Sequence, residues 1–432
     1  MRGRRYDAAL PARPLTLPSF APKAPGVGHD RELTLVQAVA RVPRLRERFR
    51  ITRIGETTRL DRAGVPTVCA IVPESPDDLS IYNGKGVTRE ASLVSAVMET
   101  VERQTAAYCA IPQRIRRADR VKRGLDLRIC GIRDQYADAA LPHVRACDLR
   151  SGEPMEVPTA LVQMPWRGLP AFETTHTNGI ASGFTITEAI HHALFELLER
   201  HLWAVTHAHA HLRPARVLRK VLGPGEFAYM DDPVSEVAQP TGSERVDVLC
   251  DKFARTGLRV RLVAMREPRF PAAILASLHD TGGEVERLHV GCGCAWSPVD
   301  AAVRALTEAA QARVADIQGA RENILRSNDP PSTFSDHTRR RARLPHGRWY
   351  FDGPVQRMAF AELHDGSSDD LADELRRLID AVAGIASRIA LVDLSPPDRS
   401  FAVVRVIVPE LETTLMDGRV GPIAQAIVEA AS

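Results

Sequence analysis

Apolar residues in this chain recur at two spacings, and the changes between them outline its secondary structure. A spacing of three to four residues predicts helices over 32–50, 90–110, 187–207 and 299–318. Proline lacks a backbone N–H and clashes with the preceding turn, so we expect the first helix to be interrupted at Pro43.

Strand-like segments separate the helices. Residues 51–60 and 65–72 predict a β-hairpin, because turn-forming residues lie between them. Further strands are predicted over 144–149, 156–162, 246–250, 259–265 and 272–278, a polar loop over 324–347, and apolar segments over 382–392 and 401–408. Antiparallel-looking strands with interspersed helices indicate an α+β fold rather than a regular βαβ array.

A glycine-containing segment precedes each of three helices, at 83–86, 178–183 and 291–293. We interpret each segment as a turn that opens the following helix. The free N–H groups and the positive dipole end of such a helix would suit an anion.

The three helices share one polar spacing. Residues 96–103 and 193–200 both read Ala-x-x-Glu-x-x-Glu-Arg, and 305–313 keeps this frame with Gln in the second acidic place. On an α-helix, residues i, i+4 and i+7 lie within about 60° of one another. The resulting stripes are Ser95, Glu99 and Glu102; His192, Glu196 and Glu199; and Arg304, Glu308 and Gln311.

Closely spaced carboxylates repel one another unless cations neutralise them, and Mg²⁺ is the hard cation that such oxygens hold beside phosphates. Lys85, Arg200, Arg304 and Arg313 lie near the glycine segments or the stripes and can take phosphate charge. A single Glu-x-x-Glu-Arg usually marks a solvent-exposed helix face. Two helices with the same Ala-x-x-Glu-x-x-Glu-Arg spacing, each preceded by a similar glycine segment, instead favour a shared Mg²⁺–nucleotide site.

The composition limits the possible partners. Of 432 residues, 44% are hydrophobic and 26% are charged, as in an ordinary globular protein. A net charge of +3 gives no reason to expect nucleic acid or an anionic membrane as a partner. No segment has the roughly 18 uninterrupted apolar residues of a membrane span. The basic N-terminus lacks an apolar signal segment, so we expect a loose arm over 1–30 and a cytoplasmic protein.

Other catalytic signatures are missing from the sequence. Seven dispersed cysteines make no disulfide framework, and Cys292-Gly-Cys294 lacks the second pair of a zinc site. Neither a Walker phosphate-binding loop nor a Gly-x-Ser-x-Gly nucleophile elbow occurs. A metal-dependent hydrolase is therefore the weaker interpretation of the carboxylates.

The three linked motifs resemble the YcaO family. The resemblance lies in 83–103, 178–200 and 291–313, which follow one another in the family's order within residues 51–410. It implies an α+β fold with internal pseudo-symmetry, in which antiparallel sheets and carboxylate-bearing helices surround a nucleotide site. It also implies ATP and Mg²⁺ as cofactors, and phosphorylation of a peptide backbone amide oxygen, which then leaves as phosphate.

Site residues follow from the resemblance position by position. The metal-holding carboxylates correspond to Glu99, Glu102, Glu196 and Glu199. The ATP-binding positions correspond to Lys85, Ser95, Glu188, Arg200, Arg304, Glu308 and Gln311. The sequence departs from the family at Phe184, where members often have Asn, and at His192, where the first helix has Ser.

The resemblance divides the chain into an N-terminal arm and helix (1–50), a catalytic domain (51–410) and a C-terminal tail (411–432). Azoline-forming members often end in a Pro-x-Pro-x-Pro tail, which this sequence lacks. Residues 403–412 instead resemble members that form thioamides with a TfuA-like partner. We therefore expect thioamide formation in a ribosomally made peptide or protein with such a partner, and leave a homodimer open.

Two alternatives stay open at this stage. An azoline-forming cyclodehydratase, acting on Cys, Ser or Thr, would use the same amide activation. A non-catalytic YcaO-like adaptor would keep the fold and recruit a partner, but it would not need an electrostatically costly carboxylate cluster.

Overall fold

Helices alternate with three sheets in the computed structural model of this chain. It describes residues 17–25, 30–108, 112–117, 120–121, 123–212, 234–265, 267, 269–282, 287–319, 349, 355–413 and 421–429. The helices are α1 (Leu35–Arg48), α2 (Arg89–Tyr108), α3 (Ile186–His207), α4 (Glu244–Ala254), α5 (Pro298–Gln318), α6 (Leu371–Ala383) and α7 (Pro422–Glu429). The predicted loop over 324–347 lies outside the described residues.

The strands follow the same chain order. They are β1 (Arg53–Glu56), β2 (Thr67–Ile71), β3 (Ile81–Lys85), β4 (Arg114–Arg117), β5 (Ala140–Asp148), β6 (Pro154–Pro158), β7 (Ile180–Gly183), β8 (Val234–Val237), β9 (Leu258–Met265), β10 (Ala273–Asp280), β11 (Arg287–Cys294), β12 (Val355–Met358), β13 (Ala390–Asp393) and β14 (Ala402–Ile407). The predicted hairpin is confirmed as the antiparallel pair β1–β2.

Each sheet ends in a strand that leads into one of the carboxylate-bearing helices. The strand orders are β1-β2-β3; β4-β5-β13-β14-β7, with β6 also on β5; and β11-β10-β9-β8-β12. Strand β12 runs parallel to β8, whereas the other pairs are antiparallel. The end strands β3, β7 and β11 precede α2, α3 and α5. The α+β class and the internal repetition are therefore confirmed.

Glycines of the three predicted turns lie in these end strands. They are Gly84 in β3, Gly183 in β7, and Gly291 and Gly293 in β11. A Cβ on Gly84 would lie 2.2 Å from the backbone N of Ala96, and one on Gly291 would lie 2.2 Å from that of Ala309. These four glycines therefore lie in strands rather than in turns and let each strand touch the helix that follows it, whereas Gly179 keeps the predicted turn, with φ +85.

Two further expectations are wrong for local reasons. Helix α1 continues through Pro43, because Ala38, Val42 and Leu45 bury one face of it. The segment predicted as a strand over 246–250 belongs to α4, whose buried positions Val246, Leu249, Cys250 and Phe253 follow the helical period.

The described part of the N-terminal arm is anchored rather than loose. The Ala21 N–H donates to Asp370 Oδ1 at 2.9 Å, and Ala21 is 2% exposed. Lys23 Nζ lies 2.9 Å from Asp30 Oδ1 and 2.7 Å from Glu374 Oε1. Within the described residues, no helix is long and apolar enough to cross a membrane.

Candidate functional site

All three polar stripes line one cavity of about 620 Å³, a volume in the range of ligand pockets. Helices α2, α3 and α5 each contribute one stripe, and β3 contributes Lys85. The predicted residues that line it are Lys85, Ser95, Glu99, Glu102, Glu188, Glu196, Glu199, Arg200, Arg304, Glu308 and Gln311. The structure therefore brings every residue that the family resemblance assigns to metal or ATP to the same cavity.

Hydrogen bonds between the end strands and the helices fix the walls of this cavity. The Lys85 N–H donates to Ser95 Oγ at 3.3 Å, which joins β3 to α2. The Ser182 hydroxyl donates to the Met98 carbonyl at 3.0 Å, which joins β7 to α2. Gln311 donates to the Asn83 carbonyl and so joins α5 to β3. The convergence of the stripes thus follows from contacts between the end strands and the helices.

The carboxylates of α2 and α3 are held by backbone groups in poorly solvated surroundings. Glu102 Oε2 accepts from the Ser182 N–H at 3.1 Å, and Glu196 Oε2 accepts from the Gly179 N–H at 2.8 Å. Burial raises the pKa of Glu102 well above its usual value, and the charges of Glu99 and Glu196 add to the rise.

The pKa values of the α3 carboxylates also rise. Burial raises the pKa of Glu196, although the neighbouring Arg200 opposes the rise. Burial raises the pKa of Glu199 to about 7 against the charge of Arg200, with Glu308 adding repulsion. Carboxylates whose charged forms are disfavoured in this way fit a site that holds a divalent cation, which would reverse these shifts.

Three of these carboxylates have no cationic side chain close by. Among the described residues, Glu99, Glu102 and Glu196 make no ion pair within 4 Å, whereas Glu199 lies 3.3 Å from Arg200. Such oxygens are suited to a hard cation such as Mg²⁺. The amide nitrogen of Asn83, buried beside them without a partner, is a further polar group open to a ligand.

Cationic side chains from β3, α3 and α5 line the same cavity. Lys85 pairs with Glu308, whose pKa is lowered because Lys85 and Arg200 outweigh the effect of burial. Arg200 Nη2 lies 3.8 Å from Glu308 Oε1. Arg304 donates to Asp30 Oδ2 at 2.6 Å and to the Cys294 carbonyl at 3.0 Å. Carboxylates and guanidinium groups in one cavity can together hold a polyphosphate through bridging metal ions.

Two predicted residues are already engaged in the protein. The oxygens of Glu188 accept from the N–H groups of Glu32 and Phe184, both at 2.8 Å, and Glu188 is fully buried. Arg313 was expected to take phosphate charge. It lies instead in ion pairs with Asp61 at 3.0 Å and Asp280 at 2.9 Å, away from the cavity lining, so that expectation is wrong.

The cavity also contains residues that sequence reasoning missed. Asp30 and Arg31 enter it from the N-terminal arm, and Cys292 and Cys294 enter it from β11. Burial raises the pKa of both thiols well above the usual value, so they are protonated and poor nucleophiles. Asn83 belongs to the first glycine segment and could have been found there.

The two departures from the family pattern both face the cavity. The Phe184 ring lines it, and the Arg41 guanidinium lies 5.5 Å from the centre of that ring. Burial, with the charges of Arg31 and Arg304, lowers the pKa of His192 well below its usual value, so this imidazole is neutral.

Two comparisons of the sequence with known proteins match most of this chain. A family model described as YcaO cyclodehydratase, ATP- and Mg²⁺-binding, matches residues 83–412. A protein from Rhizobium leguminosarum bv. trifolii, named as an uncharacterized protein in the tfuA 3′ region, is 32% identical over 403 residues, 90% of each chain.

Solved structures show the same fold. The YcaO protein of Methanopyrus kandleri, bound with AMPPCP and Mg²⁺, has a TM-score of 0.64 at 23% identity over 91% of this chain and 95% of that one. A heterocyclase in complex with substrate and cofactor has a TM-score of 0.71 at 21% identity. This chain is matched over 92% of its length and spans 54% of the heterocyclase.

Proposed function

The chain belongs to the YcaO family, and from that premise we propose that it forms a thioamide in a peptide backbone with a TfuA-like partner. ATP and Mg²⁺ binding are properties of this family. The observation that carries the proposal is the convergence on one cavity of all the residues that the family resemblance assigns to metal or ATP.

The residues divide naturally between metal and phosphate. Glu99, Glu102, Glu196 and Glu199 would hold Mg²⁺, because most of them lack another cation and all face the cavity. Lys85, Arg200 and Arg304 would neutralise phosphate charge. When bound, ATP supplies the phosphoryl group that turns the amide oxygen into a good leaving group.

The chain's own contribution is positioning and charge neutralisation, which dominate phosphoryl-transfer catalysis. The backbone N–H groups of Gly179 and Ser182 fix one oxygen each of Glu196 and Glu102. Glu308 lies between Lys85 and Arg200 and can orient both cations. These contacts hold the charged groups in place before a ligand enters.

The thioamide product is proposed from two similarities. Residues 403–412 resemble members that act with a TfuA-like partner. The relative from Rhizobium is named for its position in the tfuA 3′ region and is 32% identical to this chain. The peptide substrate and a separate TfuA-like partner, which would bring substrate or sulfur, belong to this proposal.

The test is a comparison of two strains that differ at one codon. One expresses the native chain and the other the Glu199→Gln variant, both with the TfuA-like partner. A peptide heavier by about 16 Da, with the isotope pattern of one added sulfur, should occur only with the native chain, because sulfur replaces the activated amide oxygen. A peptide lighter by about 18 Da would instead show azoline formation by loss of water. No mass difference between the strains would contradict amide activation itself.

A further inference from the structure

A second cavity, of about 70 Å³, lies next to the carboxylate site. Its polar lining includes Cys130, His176, Asn178, Arg405 and Glu412. None of the residues predicted for the nucleotide or the metal lines it. The space holds a few water-sized groups, so a nucleotide or a peptide side chain of any length is excluded.

Arg405 carries a buried charge without a direct counter-ion. It is 3% exposed, and no carboxylate of the described residues lies within 4 Å of its guanidinium. Its Nε donates to the Leu161 carbonyl at 2.9 Å and its Nη1 to the Asn178 carbonyl at 2.7 Å. Burial lowers the pKa of Arg405 to about 10, although the charge of Glu196 beyond 4 Å opposes the fall, so the group stays charged near neutral pH. A buried guanidinium that has no ion-pair partner among the described residues attracts an anion.

The other described polar groups that line this cavity make no ion pair with Arg405. Burial and the charge of Arg405 lower the pKa of His176 to about 3, so its imidazole is neutral. His176 Nδ1 is buried without a partner. The Glu412 carboxylate is turned towards the start of α7, where it accepts from the Ile423 and Ala424 N–H groups at 2.6 and 3.2 Å.

We propose that this second cavity binds a small monovalent anion on Arg405. Its size excludes phosphate esters, and its lining by Leu161, Leu197 and Val408 favours a weakly hydrated ion. Hydrosulfide and a small carboxylate such as formate both have this chemistry. The choice of hydrosulfide rests on the proposed thioamide function, whereas the anion site itself does not.

One peptide group connects this site to the carboxylate cluster. The Asn178 carbonyl accepts from Arg405, and the N–H of the same peptide group, on Gly179, donates to Glu196 Oε2 at 2.8 Å. Gly179 has φ +85, and a Cβ there would lie 2.3 Å from the Val406 carbonyl oxygen, so the turn admits little change. An anion on Arg405 therefore acts on Glu196, and by reciprocity a metal ion at Glu196 acts on the anion.

Thermal unfolding of the full chain tests the site. Sodium hydrosulfide and sodium formate are titrated at constant ionic strength against gluconate, which is too large to enter. At least one should raise the melting temperature to a plateau, and the Arg405→Met variant should lose this effect. Arg388→Met, two residues before β13 and paired with Asp148 of β5, should keep it. A plateau with hydrosulfide alone supports a sulfide site, and one with formate alone supports a carboxylate site. No plateau with either salt, or an unchanged response in Arg405→Met, would overturn the proposal.

If the Arg405→Met variant does not fold, crystals of the native chain soaked in bromide test the site by anomalous diffraction. An anomalous peak at the Arg405 guanidinium is expected, and its absence would count against the site.

The link to Glu196 is tested by Mn²⁺ binding, followed by electron paramagnetic resonance. The salt that gave a plateau in thermal unfolding, added at a saturating concentration, should change the Mn²⁺ dissociation constant at least twofold. A constant value would disprove the link.

Discussion

Repulsion between carboxylates dominates the cavity at the scale of single residues. Glu99, Glu102, Glu196 and Glu199 all face it, yet Arg200 is the cation found within 4 Å of them among the described residues, and it reaches Glu199. The chain thus assembles negative charge that a bound metal ion must neutralise.

Removal of one of these oxygens should stop ATP turnover. We expect Glu99→Ala and Glu199→Ala each to lower the ATPase rate at least about 100-fold, because each removes a group that stabilises charge during phosphoryl transfer. Circular dichroism should show an unchanged fold. The matched control is Glu153→Ala, whose carboxylate lies at the surface, 46% exposed. Near-normal ATPase rates in both cavity variants would contradict the assignment.

The raised pKa of Glu199 gives the metal-free protein a definite pH dependence. Its pKa is about 7 in the folded state against 4.5 for a solvent-exposed glutamate, so the folded state binds more protons between these values. The free energy of unfolding should therefore fall as pH rises from about 4.5 through 7. Glu199→Gln should flatten this fall in urea unfolding with a chelator present. An equal pH dependence in the variant would contradict the raised pKa.

The sequence allowed the three polar stripes to be predicted, but not the residues distant in sequence that contact them. Positions such as Ser95, Glu99 and Glu102 are fixed by helical geometry, which a sequence displays directly. Asp30 meets Arg304 across 274 residues of chain, and no local spacing encodes that contact. The same holds for Arg313, whose partners Asp61 and Asp280 remove it from the site.

At the scale of elements, three junctions of a strand with a helix build the cavity. In each, an end strand lies against the helix that follows it, and glycine removes the side chain that would separate them. The sequence pattern revealed the glycines and their place before each helix. It did not reveal the strands, because a glycine-rich segment has too few apolar side chains to show a period of two.

Alanine at these junctions should destabilise the protein. A Cβ on Gly84 or Gly291 would meet helix backbone at 2.2 Å, which no side-chain rotation relieves. We expect each variant to lose about 1–3 kcal/mol of stability, the usual cost of overpacking. The control is Gly282→Ala, since a Cβ there meets the movable Asp280 side chain at 3.4 Å. Equal stability of all three variants would contradict the close approach.

The wrongly predicted elements have physical explanations of the same kind. Over 246–250 the window was too short to separate a strand from one and a half helical turns, and Phe253 completes the helical pattern. In α1, packing of the buried face outweighs the hydrogen bond lost at Pro43. Local preference decides an element only where tertiary packing does not.

At the scale of the whole molecule, the cavity needs α2, α3 and α5 together with an added cation. Clustered carboxylates repel a triphosphate unless metal ions lie between them. ATP should therefore raise the melting temperature only when Mg²⁺ is present, because a ligand stabilises by its binding to the folded state. Mg²⁺ alone and ATP with a chelator are the controls. An equal rise with ATP and chelator would contradict a metal-bridged nucleotide.

The N-terminal arm ties this cavity to the rest of the protein. Lys23 bridges Asp30 and Glu374, and Asp30 in turn holds Arg304 at 2.6 Å. The side chains of Lys23, Asp30 and Glu374 are 6%, 6% and 0% exposed. The network is thus almost fully buried, and each of its charges is neutralised by its neighbours rather than by solvent.

Lys23→Met should accordingly cost far more than a surface substitution. It leaves the buried Glu374 carboxylate without its ammonium partner, a change worth about 3–5 kcal/mol, whereas Asp30 keeps Arg304. Arg255→Met, which loses an ion pair on a side chain 80% exposed, should change stability by less than about 1 kcal/mol. Adding Glu374→Gln to Lys23→Met should restore part of the lost free energy of unfolding, because it removes the buried charge that has lost its partner. A loose arm would instead leave the Lys23→Met variant as stable as the native chain, so urea unfolding of these variants decides whether the segment around Lys23 is anchored.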